Sequence, residues 1–406
     1  MRLRIKDICD YVSRGTTPDY VDEGANKVMN QATFSKGWID ESNIRYTSKA
    51  NKGARIMKGD LLMASTGGGV LGKVFFFDDD DSFYADSHVT IMRNSKGANL
   101  MKYLYYYFYL RYDEINATMV KGSTNQTELQ RNYLLSYELD VPTLADQQRM
   151  VTYLDTKLSE IDHQVSLLTS KRDAYLRLKK SIINHAVTHG LNPNVKMKDS
   201  GIEWIGEVPE HWEVKRMKDI CDYISRGSTP DYVDEDYQKV MNQGTFSKGW
   251  IDESNIRYTK VGKSGAHIKK GDLLMASTGG GVLGKILYFD SIDENYYADS
   301  HVTIMRNSKG INSMKFLFYH FSLRFDEINA TMTKGSTNQT ELQRYELLSH
   351  KVAIPPLPEQ HAIATYLDDK CAKIDTIVSN LGKQISRYAD LKRSLIDEVI
   401  TGKRAV

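Results

Sequence analysis

The segment Tyr366–Val399, YLDDKCAKIDTIVSNLGKQISRYADLKRSLIDEV, decides the fold expected for this chain. Its apolar residues recur at alternating steps of four and three, which is typical of a long helix that packs one seam against a second helix. The same pattern begins earlier in the chain at Leu154. The predicted seams consist of Leu154, Leu158, Ile161, Val165 and Leu168 in the first helix and Leu367, Ile374, Val378, Leu381 and Ile385 in the second.

Proline and glycine mark where these helices begin and end. Pro358 suits a first helical turn, and Gly190 and Gly402 stand just beyond the last apolar positions. The helices are predicted over about 146–188 and 359–401, and about 43 residues correspond to roughly 65 Å. Because an isolated helix of that length with an apolar stripe needs a partner, we expect the two to pair. Lys179 and Lys392 interrupt the seams at equivalent positions, and we hypothesise that they set the register.

Almost the whole sequence consists of two similar copies. TFSKGWIDESNIRYT at Thr33–Thr47 returns unchanged at Thr245–Thr259, and KGDLLMASTGGGVLGK returns unchanged from Lys270. The polar stretch KGSTNQTELQR occurs at Lys121–Arg131 and again at Lys334–Arg344. A period above 200 residues is too long for a solenoid, so the pattern indicates a duplicated domain together with its connector.

Each copy has a globular part followed by a helical arm. Short alternating runs such as HVTIMR, separated by Gly, Asn and Asp, predict strands and turns, with a helical piece near 101–115. In that piece Tyr107 and Tyr109 become His320 and Ser322 in the second copy, which predicts that they face solvent. The expected fold class is α+β, with two globular domains separated by two antiparallel helices in a coiled coil with pseudo-two-fold symmetry. The predicted boundaries are 1–145, 146–198 for the first helix, 199–212 for a connector, 213–358, and 359–406 for the second helix.

Composition excludes several other classes of protein. The net charge of +2 is small, so a nucleic-acid partner would require the positive charge to be concentrated on one surface. Cys9, Cys221 and Cys371 form no disulfide or metal-ligand pattern, which favours a reducing cytoplasm. The sequence shows no secretion signal and no apolar run of the roughly 20 residues that span a bilayer. The glycine-rich stretch after Ser65 lacks the Ser or Thr of a phosphate-binding loop, since Val74 and Ile286 follow its lysines.

Three segments carry a resemblance to a known family. LNPNVKMKDSGIEWIGEVPEHWEVKRMKDI from Leu191, IPPLPEQHAIATYLDDKCAKID from Ile354 and LKRSLIDEVITGK from Leu391 resemble the specificity subunit of type I restriction–modification systems. The resemblance extends from end to end of the chain. It implies a non-catalytic, DNA-binding subunit with two target-recognition domains at opposite ends of an antiparallel helix pair.

The resemblance also implies partners and a division of labour. Each recognition domain would read half of a split double-stranded DNA target, while the helices fix the gap and dock two methyltransferase subunits. Those subunits would carry S-adenosylmethionine and methylate adenine, and restriction subunits would use ATP and Mg²⁺, so this chain itself would hold no cofactor, no metal and no catalytic residue. Family members generally carry two dissimilar domains, whereas these are nearly the same. Identical readers on a two-fold axis would recognise a gapped inverted repeat.

Candidate DNA contacts follow from residue chemistry, because Lys and Arg bind phosphates while amides and hydroxyls read base edges. Asn125 has an alternative role as a helix N-cap with Glu128, and the two remain open. His88 and His301 are expected to be core or surface residues rather than ligands. The candidates are Arg14, Thr17, Asn30, Gln31, Lys36, Ser65, Thr66, Lys121, Ser123, Thr124, Asn125 and Gln126, with Arg226, Thr229, Asn242, Gln243, Lys248, Ser277, Thr278, Lys334, Ser336, Thr337, Asn338 and Gln339 in the second copy.

Two other functions remain open, and the sequence could serve the first of them equally. One is the specificity subunit of a system whose methylase and nuclease are fused in one partner chain. The other is a protein scaffold in which only the coiled coil matters. The repeated polar stretches argue against the scaffold, since a scaffold does not need the same exposed residues twice.

Overall fold

Two helices, Leu144–His189 and Leu357–Ile400, run through the computed structural model and confirm the predicted helical arms. Each begins within two residues of the prediction. The first ends directly before Gly190 and the second ends two residues before Gly402, and both glycines have a left-handed backbone, at φ 75° and φ 73°. The structure describes residues 1–406 except 25, 50, 96, 123–126, 204, 235–236, 261–265, 294 and 336–339. Among the helices of that described part, none is both long and apolar enough to cross a membrane.

The chain forms two compact units that do not coincide with the two sequence copies. Unit 1 comprises Met1–Thr169 and Lys383–Val406, and unit 2 comprises Ser170–Gly382. Each unit therefore contains the globular part of one copy, the start of that copy's helix and the end of the other copy's helix. The fold is α+β, as predicted.

Unit 1 contains two main sheets. An antiparallel sheet has the strand order β2-β10-β7-β8, and a second sheet has the order β3-β5-β4-β9-β6, in which β4 and β9 run parallel. The strands are β1 (Arg2–Arg4), β2 (Tyr11–Arg14), β3 (Tyr20–Val21), β4 (Asn26–Met29), β5 (Arg45–Thr47), β6 (Arg55–Ile56), β7 (Leu61–Ala64), β8 (Val74–Phe76), β9 (Phe83–Ala85), β10 (Val89–Arg93), β11 (Val120–Lys121), β12 (Glu128–Leu129) and β13 (Glu138–Asp140). Shorter helices span Ile5–Ile8, Gln31–Phe34, Ala98–Tyr109, Tyr112–Thr118 and Arg131–Ser136.

Unit 2 repeats this topology except at the position of β6, where an isolated bridge joins His267 to Tyr297. Its sheets have the orders β17-β24-β21-β22 and β18-β20-β19-β23, again with one parallel pairing, between β19 and β23. The strands are β14 (Met197–Asp199), β15 (Glu207–Pro209), β16 (Glu213–Arg216), β17 (Tyr223–Arg226), β18 (Tyr232–Val233), β19 (Gln238–Met241), β20 (Arg257–Thr259), β21 (Leu273–Ala276), β22 (Ile286–Tyr288), β23 (Tyr296–Ala298), β24 (Val302–Arg306), β25 (Thr333–Lys334), β26 (Glu341–Leu342) and β27 (Lys351–Ile354). Helices span Met217–Ile220, Gln243–Phe246, Met314–Ser322, Phe325–Thr331 and Arg344–Ser349.

The helix end from the other copy is part of each core. In unit 1, Leu395 and Val399 lie in one apolar cluster with Phe108 and Leu154. In unit 2, the equivalent positions Ile182 and Ala186 join the cluster of Phe316 and Leu367. Burial of a large aliphatic side chain contributes about 1.5–3 kcal/mol. The helix end from the other copy therefore contributes substantially to the stability of each unit.

Within each unit the two helical segments run antiparallel. In unit 1, Lys392 Nζ lies 2.7 Å from Asp162 Oδ1, and Arg404 lies near Tyr153. Later residues of the second segment therefore contact earlier residues of the first, as in an antiparallel pair. In unit 2, Lys179 Nζ lies 2.6 Å from Asp375 Oδ1. The two lysines that interrupt the seams thus each have an acidic partner on the facing helix, which gives the register hypothesis a structural basis.

Burial varies along the predicted seams. In the first helix the half-buried residues follow the buried ones away from the globular part, whereas in the second helix Val378 is half-buried between the buried Ile374 and Leu381. Leu154, Leu158, Ile161, Leu367, Ile374 and Leu381 are buried, whereas Val165, Leu168, Val378 and Ile385 are half-buried.

The expectation that Tyr107 and His320 face solvent is wrong, although Tyr109 is exposed as predicted. Tyr107 is buried, and its hydroxyl lies 3.2 Å from that of Tyr137. At the equivalent place in unit 2, His320 Nε2 lies 3.3 Å from His350 Nε2. Both members of this polar pair, one buried and one half-buried, therefore differ together between the copies, so a change between polar residues does not indicate a surface position here.

Candidate nucleic-acid interface

A polar cavity of about 560 Å³ opens on unit 1 where the second sheet meets the turn between β9 and β10. The parallel pairing of β4 with β9 places Met29 opposite Ala85, so that the residues following each strand become neighbours. The N–H of Asp86 donates to the carbonyl of Met29 at 3.0 Å. The lining residues are Tyr20, Asn30, Gln31, Ala32, Ser42, Asn43, Ile44, Arg45, Asp86 and His88.

Asn30 shapes one wall of this cavity. Its side-chain oxygen accepts the N–H groups of Ala32 at 2.8 Å and Thr33 at 3.2 Å, which caps the helix Gln31–Phe34. Its amide nitrogen donates to the carbonyl of Asn43 at 3.1 Å. These bonds use both ends of the Asn30 amide, so this candidate is placed to position Gln31.

Gln31, Thr66 and His88 form a hydrogen-bonded row beside the cavity. The hydroxyl of Thr66 donates to Gln31 Oε1 at 3.2 Å and lies 2.6 Å from His88 Nδ1. Gly67, at φ 85°, makes room for this arrangement, because a Cβ there would lie 2.8 Å from Gln31 Nε2. Substitution of Gly67 would therefore push the amide out of place.

The opposite wall combines an aromatic ring, a cation and a buried carboxylate. The Arg45 guanidinium lies 5.0 Å from the centroid of the Tyr20 ring, and the Tyr20 hydroxyl donates to Asp86 Oδ2 at 3.3 Å. Asp86 is 2% exposed. Burial raises the pKa of Asp86, and the N–H of His88, which donates to Oδ1 at 2.8 Å, partly opposes that rise.

Arg14 lies close to the Gln31–Thr66–His88 row. Its Nε donates to the carbonyl of Ser87 at 3.0 Å, and Nη1 lies 3.4 Å from Glu128 Oε2. Thr66 also pairs with Glu128 through an isolated antiparallel bridge. The structure therefore joins three of the predicted segments, around Arg14, Thr66 and Glu128, into one surface.

The other candidates have different placements. Thr17 and Lys121 are exposed, and Lys36 is exposed with its Nζ 2.7 Å from Asp40 Oδ2, a contact that lowers the pKa of Asp40 to about 2. Ser65 is fully buried and its hydroxyl lies 2.5 Å from that of Thr90, so it has no surface for a DNA contact in this conformation. Ser123, Thr124, Asn125 and Gln126, with Ser336, Thr337, Asn338 and Gln339, lie outside the described residues.

Unit 2 builds the same arrangement from the second copy. Thr278 lies 3.1 Å from Gln243 Oε1 and 2.7 Å from His301 Nδ1, and the Arg257 guanidinium lies 5.0 Å from the Tyr232 ring. Arg226, Thr229, Asn242, Lys248, Ser277 and Lys334 match their first-copy counterparts in burial or contacts. Of the cavity-lining positions, only Ala32 differs, being Gly244 in unit 2.

Tyr20, Ser42, Asn43, Arg45 and Asp86 were not among the candidates, although they line the cavity. A signal for them existed, because Ser42, Asn43 and Arg45 lie in the stretch that the two copies share unchanged. His88, which the sequence predicts to be a core or surface residue rather than a ligand, is exposed and belongs to the row with Thr66.

Comparison with known proteins identifies the class to which this fold and surface belong. The chain matches the family model of the type I restriction modification DNA specificity domain over residues 1–167 and 209–387. Because the match covers most of the chain and occurs once in each copy, this protein belongs to that family.

Individual relatives support the assignment. The MjaVIII specificity subunit of a type I restriction enzyme from Methanocaldococcus jannaschii is 23% identical over 323 residues, 77% of this chain and 73% of that protein. The MjaX specificity subunit of the same organism is 27% identical over 206 residues, and the match spans about half of it, 47%.

Solved structures share the fold. A chain from a structure of a type I restriction–modification system, described in terms of complex assembly and conformational transition, aligns over 98% of this protein with a TM-score of 0.74 at 14% identity. The HsdS subunit of Thermoanaerobacter tengcongensis aligns over 100% with a TM-score of 0.50 at 14% identity.

Proposed function

We propose that this chain is the DNA sequence-recognition subunit of a type I restriction–modification complex and reads a gapped inverted repeat. Each unit recognises one half of the target in double-stranded DNA, and the helical arms set the spacer. Methyltransferase subunits carrying S-adenosylmethionine dock on the arms to methylate adenine, and restriction subunits using ATP and Mg²⁺ join the same core. The chain contributes recognition and no chemistry.

One observation carries the proposal: the same polar surface is built twice. Gln31, Thr66 and His88 in unit 1 make the contacts that Gln243, Thr278 and His301 make in unit 2, with distances that agree within 0.1 Å. Side chains that read base edges are amides, hydroxyls, guanidinium groups and imidazoles held in place by a rigid support. Two copies of one such surface favour two copies of one DNA word.

The arms offer an apolar position for a partner in each copy. Leu178 is 47% exposed and its equivalent Leu391 is 49% exposed, and neither belongs to the predicted seams. Equivalent exposed leucines fit one methyltransferase subunit on each arm. Leu391→Asp is expected to leave one methyltransferase bound, and Leu178→Asp with Leu391→Asp to leave none, as measured by mass photometry of the purified complex. Two bound subunits on the double variant would place the docking site elsewhere.

Single-molecule sequencing of adenine methylation in cells that carry this system tests the DNA target directly. The expected result is methylated adenine in two identical words on opposite strands, separated by a fixed gap. Two unrelated words would contradict the inverted repeat. Absence of any methylated word would contradict the function itself.

The two other functions are separated by simple assays. Affinity purification distinguishes separate methyltransferase and ATP-dependent subunits from a single fused methylase–nuclease chain. A scaffold without DNA binding is excluded by a gel shift on the methylated target that weakens steeply as salt rises, since phosphate contacts release counterions. No salt-dependent shift in the presence of the methyltransferase would favour the scaffold.

A further inference from the structure

We infer that His88 and Gln31 together read one adenine of the half-site in unit 1, and that His301 and Gln243 read its counterpart in unit 2. The inference rests on the proposed function and deepens it by naming the base and the pair of residues that specifies it. An amide alone commonly reads adenine, because it presents one donor and one acceptor to the N7 and 6-amino groups. The Thr66 hydroxyl donates to Gln31 Oε1 and occupies one of its two lone pairs, and the same hydroxyl ties Gln31 to His88, so the two side chains present polar groups together.

The Thr66 hydroxyl forces the two ends of the row to be complementary. A hydroxyl carries one proton, so a hydroxyl that donates to Gln31 Oε1 must accept from His88 Nδ1–H. Within the described part of the chain, neither Gln31 Nε2 nor His88 Nε2 makes a hydrogen bond. With the row in this direction Gln31 Nε2 is a donor, and His88 Nε2 is an acceptor whenever the imidazole carries a single proton. If the row ran the other way, Gln31 would present its oxygen and His88 its Nε2–H, which again gives one donor and one acceptor.

That pair of groups matches adenine and opposes guanine. Adenine offers an acceptor at N7 and a donor at its 6-amino group in the major groove, whereas guanine offers two acceptors there. A guanine would place an acceptor against an acceptor, whichever way the row runs. Both side chains line the cavity of unit 1, and His88 is exposed, so a base edge at the cavity mouth can meet them.

Because the two units carry the same residues, a variant in one unit leaves the other unit unchanged as its control. Variants are made in unit 1 only, in the complex with methyltransferase, and methylated words are mapped in cells. His88→Ala and Gln31→Ala are each expected to relax the same single A·T pair in one half-site, while the word read by unit 2 stays unchanged. Thr66→Val, which removes the hydroxyl and keeps the shape, is expected to relax that same pair. His301→Ala is expected to relax the other half-site.

Modified duplexes then separate the two contacts. At the identified position, 7-deazaadenine removes the N7 acceptor, and purine removes the 6-amino donor. Each is expected to weaken binding of the wild-type complex about tenfold. His88→Ala is expected to become insensitive to one of these modifications and to stay sensitive to the other, and Gln31→Ala should show the reverse.

The outcomes separate this inference from the proposed function. The inference is overturned if His88→Ala keeps the wild-type word, or if it relaxes a different base pair from Gln31→Ala. If the His88→Ala protein fails to accumulate in cells, His88 has a structural role. Thermal unfolding of His88→Ala at the same temperature as the wild-type protein would exclude that structural role. If no methylated word exists even for the wild-type complex, the proposed function has failed instead.

Discussion

Lowering the pH from 7 to 4 is expected to unfold unit 2 before unit 1, because a histidine pair in unit 2 replaces a tyrosine pair in unit 1. Burial lowers the pKa of His350 from 6.5 to about 4, and the Arg324 cation adds to this. Burial likewise lowers the pKa of His320, with Arg324 and His350 contributing. Glu327 is an acidic group that faces the pair, with its carboxylate 4.0 Å from His350 Nδ1.

The sign and size of the effect follow from proton binding. The unfolded chain takes up a proton at His350 below pH 6.5, and the folded chain does so only near pH 4. The stabilisation is therefore complete above pH 6.5 and is lost as the pH falls toward 4. Because one pKa unit corresponds to about 1.4 kcal/mol, His350 alone makes the free energy of unfolding of unit 2 smaller by roughly 3 kcal/mol at the acid limit.

Hydrogen exchange with mass spectrometry measures the two units separately in one sample. Buried carboxylates occupy equivalent places in both units, since Asp60 and Asp86 have counterparts at Asp272 and Asp299, so unit 1 serves as the internal reference. His320→Tyr with His350→Tyr copies the unit 1 pair and should abolish the difference. Tyr107→His with Tyr137→His should transfer the acid sensitivity to unit 1. Equal protection of the two units at pH 4.5 in the wild-type chain would refute the reasoning.

The remaining predictions concern stability. Gly382→Ala should raise the free energy of unfolding by about 1 kcal/mol, because Gly382 lies inside a helix and an added Cβ meets nothing within 4 Å; no gain in calorimetric Tm would contradict this. Asp60→Ala should lower the free energy of unfolding of unit 1 by about 3–5 kcal/mol. The Asp60 side chain is 1% exposed, and its two oxygens each lie 2.6 Å from the Arg93 guanidinium. Urea unfolding of Asp272→Ala should show the same loss in unit 2. Lys179→Met should change stability by less than about 1 kcal/mol, because its partner Asp375 is 55% exposed; a loss above 2 kcal/mol would show that the ion pair does more than set the register.

The helical arms could be predicted from sequence because their periodicity is local and their ends carry proline and glycine. The cavity could be predicted only in part. Gln31 and Thr66 stood out as repeated polar residues, but Tyr20, Arg45 and Asp86 meet through the parallel pairing of β4 with β9, which no local pattern reveals.

Two further placements depend on contacts between distant segments. Ser65 carries a hydroxyl of the kind that contacts DNA, yet this hydroxyl forms a hydrogen bond with the hydroxyl of Thr90 where β7 pairs with β10. Tyr107 varies between polar residues as a surface position would, and the variation makes sense only beside Tyr137. In both cases the deciding partner lies more than 20 residues away, so periodicity within one element could not identify it.

The exchanged helix ends have a consequence for the order of events during synthesis. Unit 1 needs Leu395, Ile396, Val399 and Ile400 in its core, so it cannot be completed until those residues have left the ribosome, after all of unit 2 has been made. Unit 2 contains residues 170–382 and needs nothing that is translated later. Unit 2 is therefore expected to finish folding before unit 1, although most of unit 1 is synthesised first. Until then, the apolar residues of unit 1 that contact the C-terminal helix end stay uncovered.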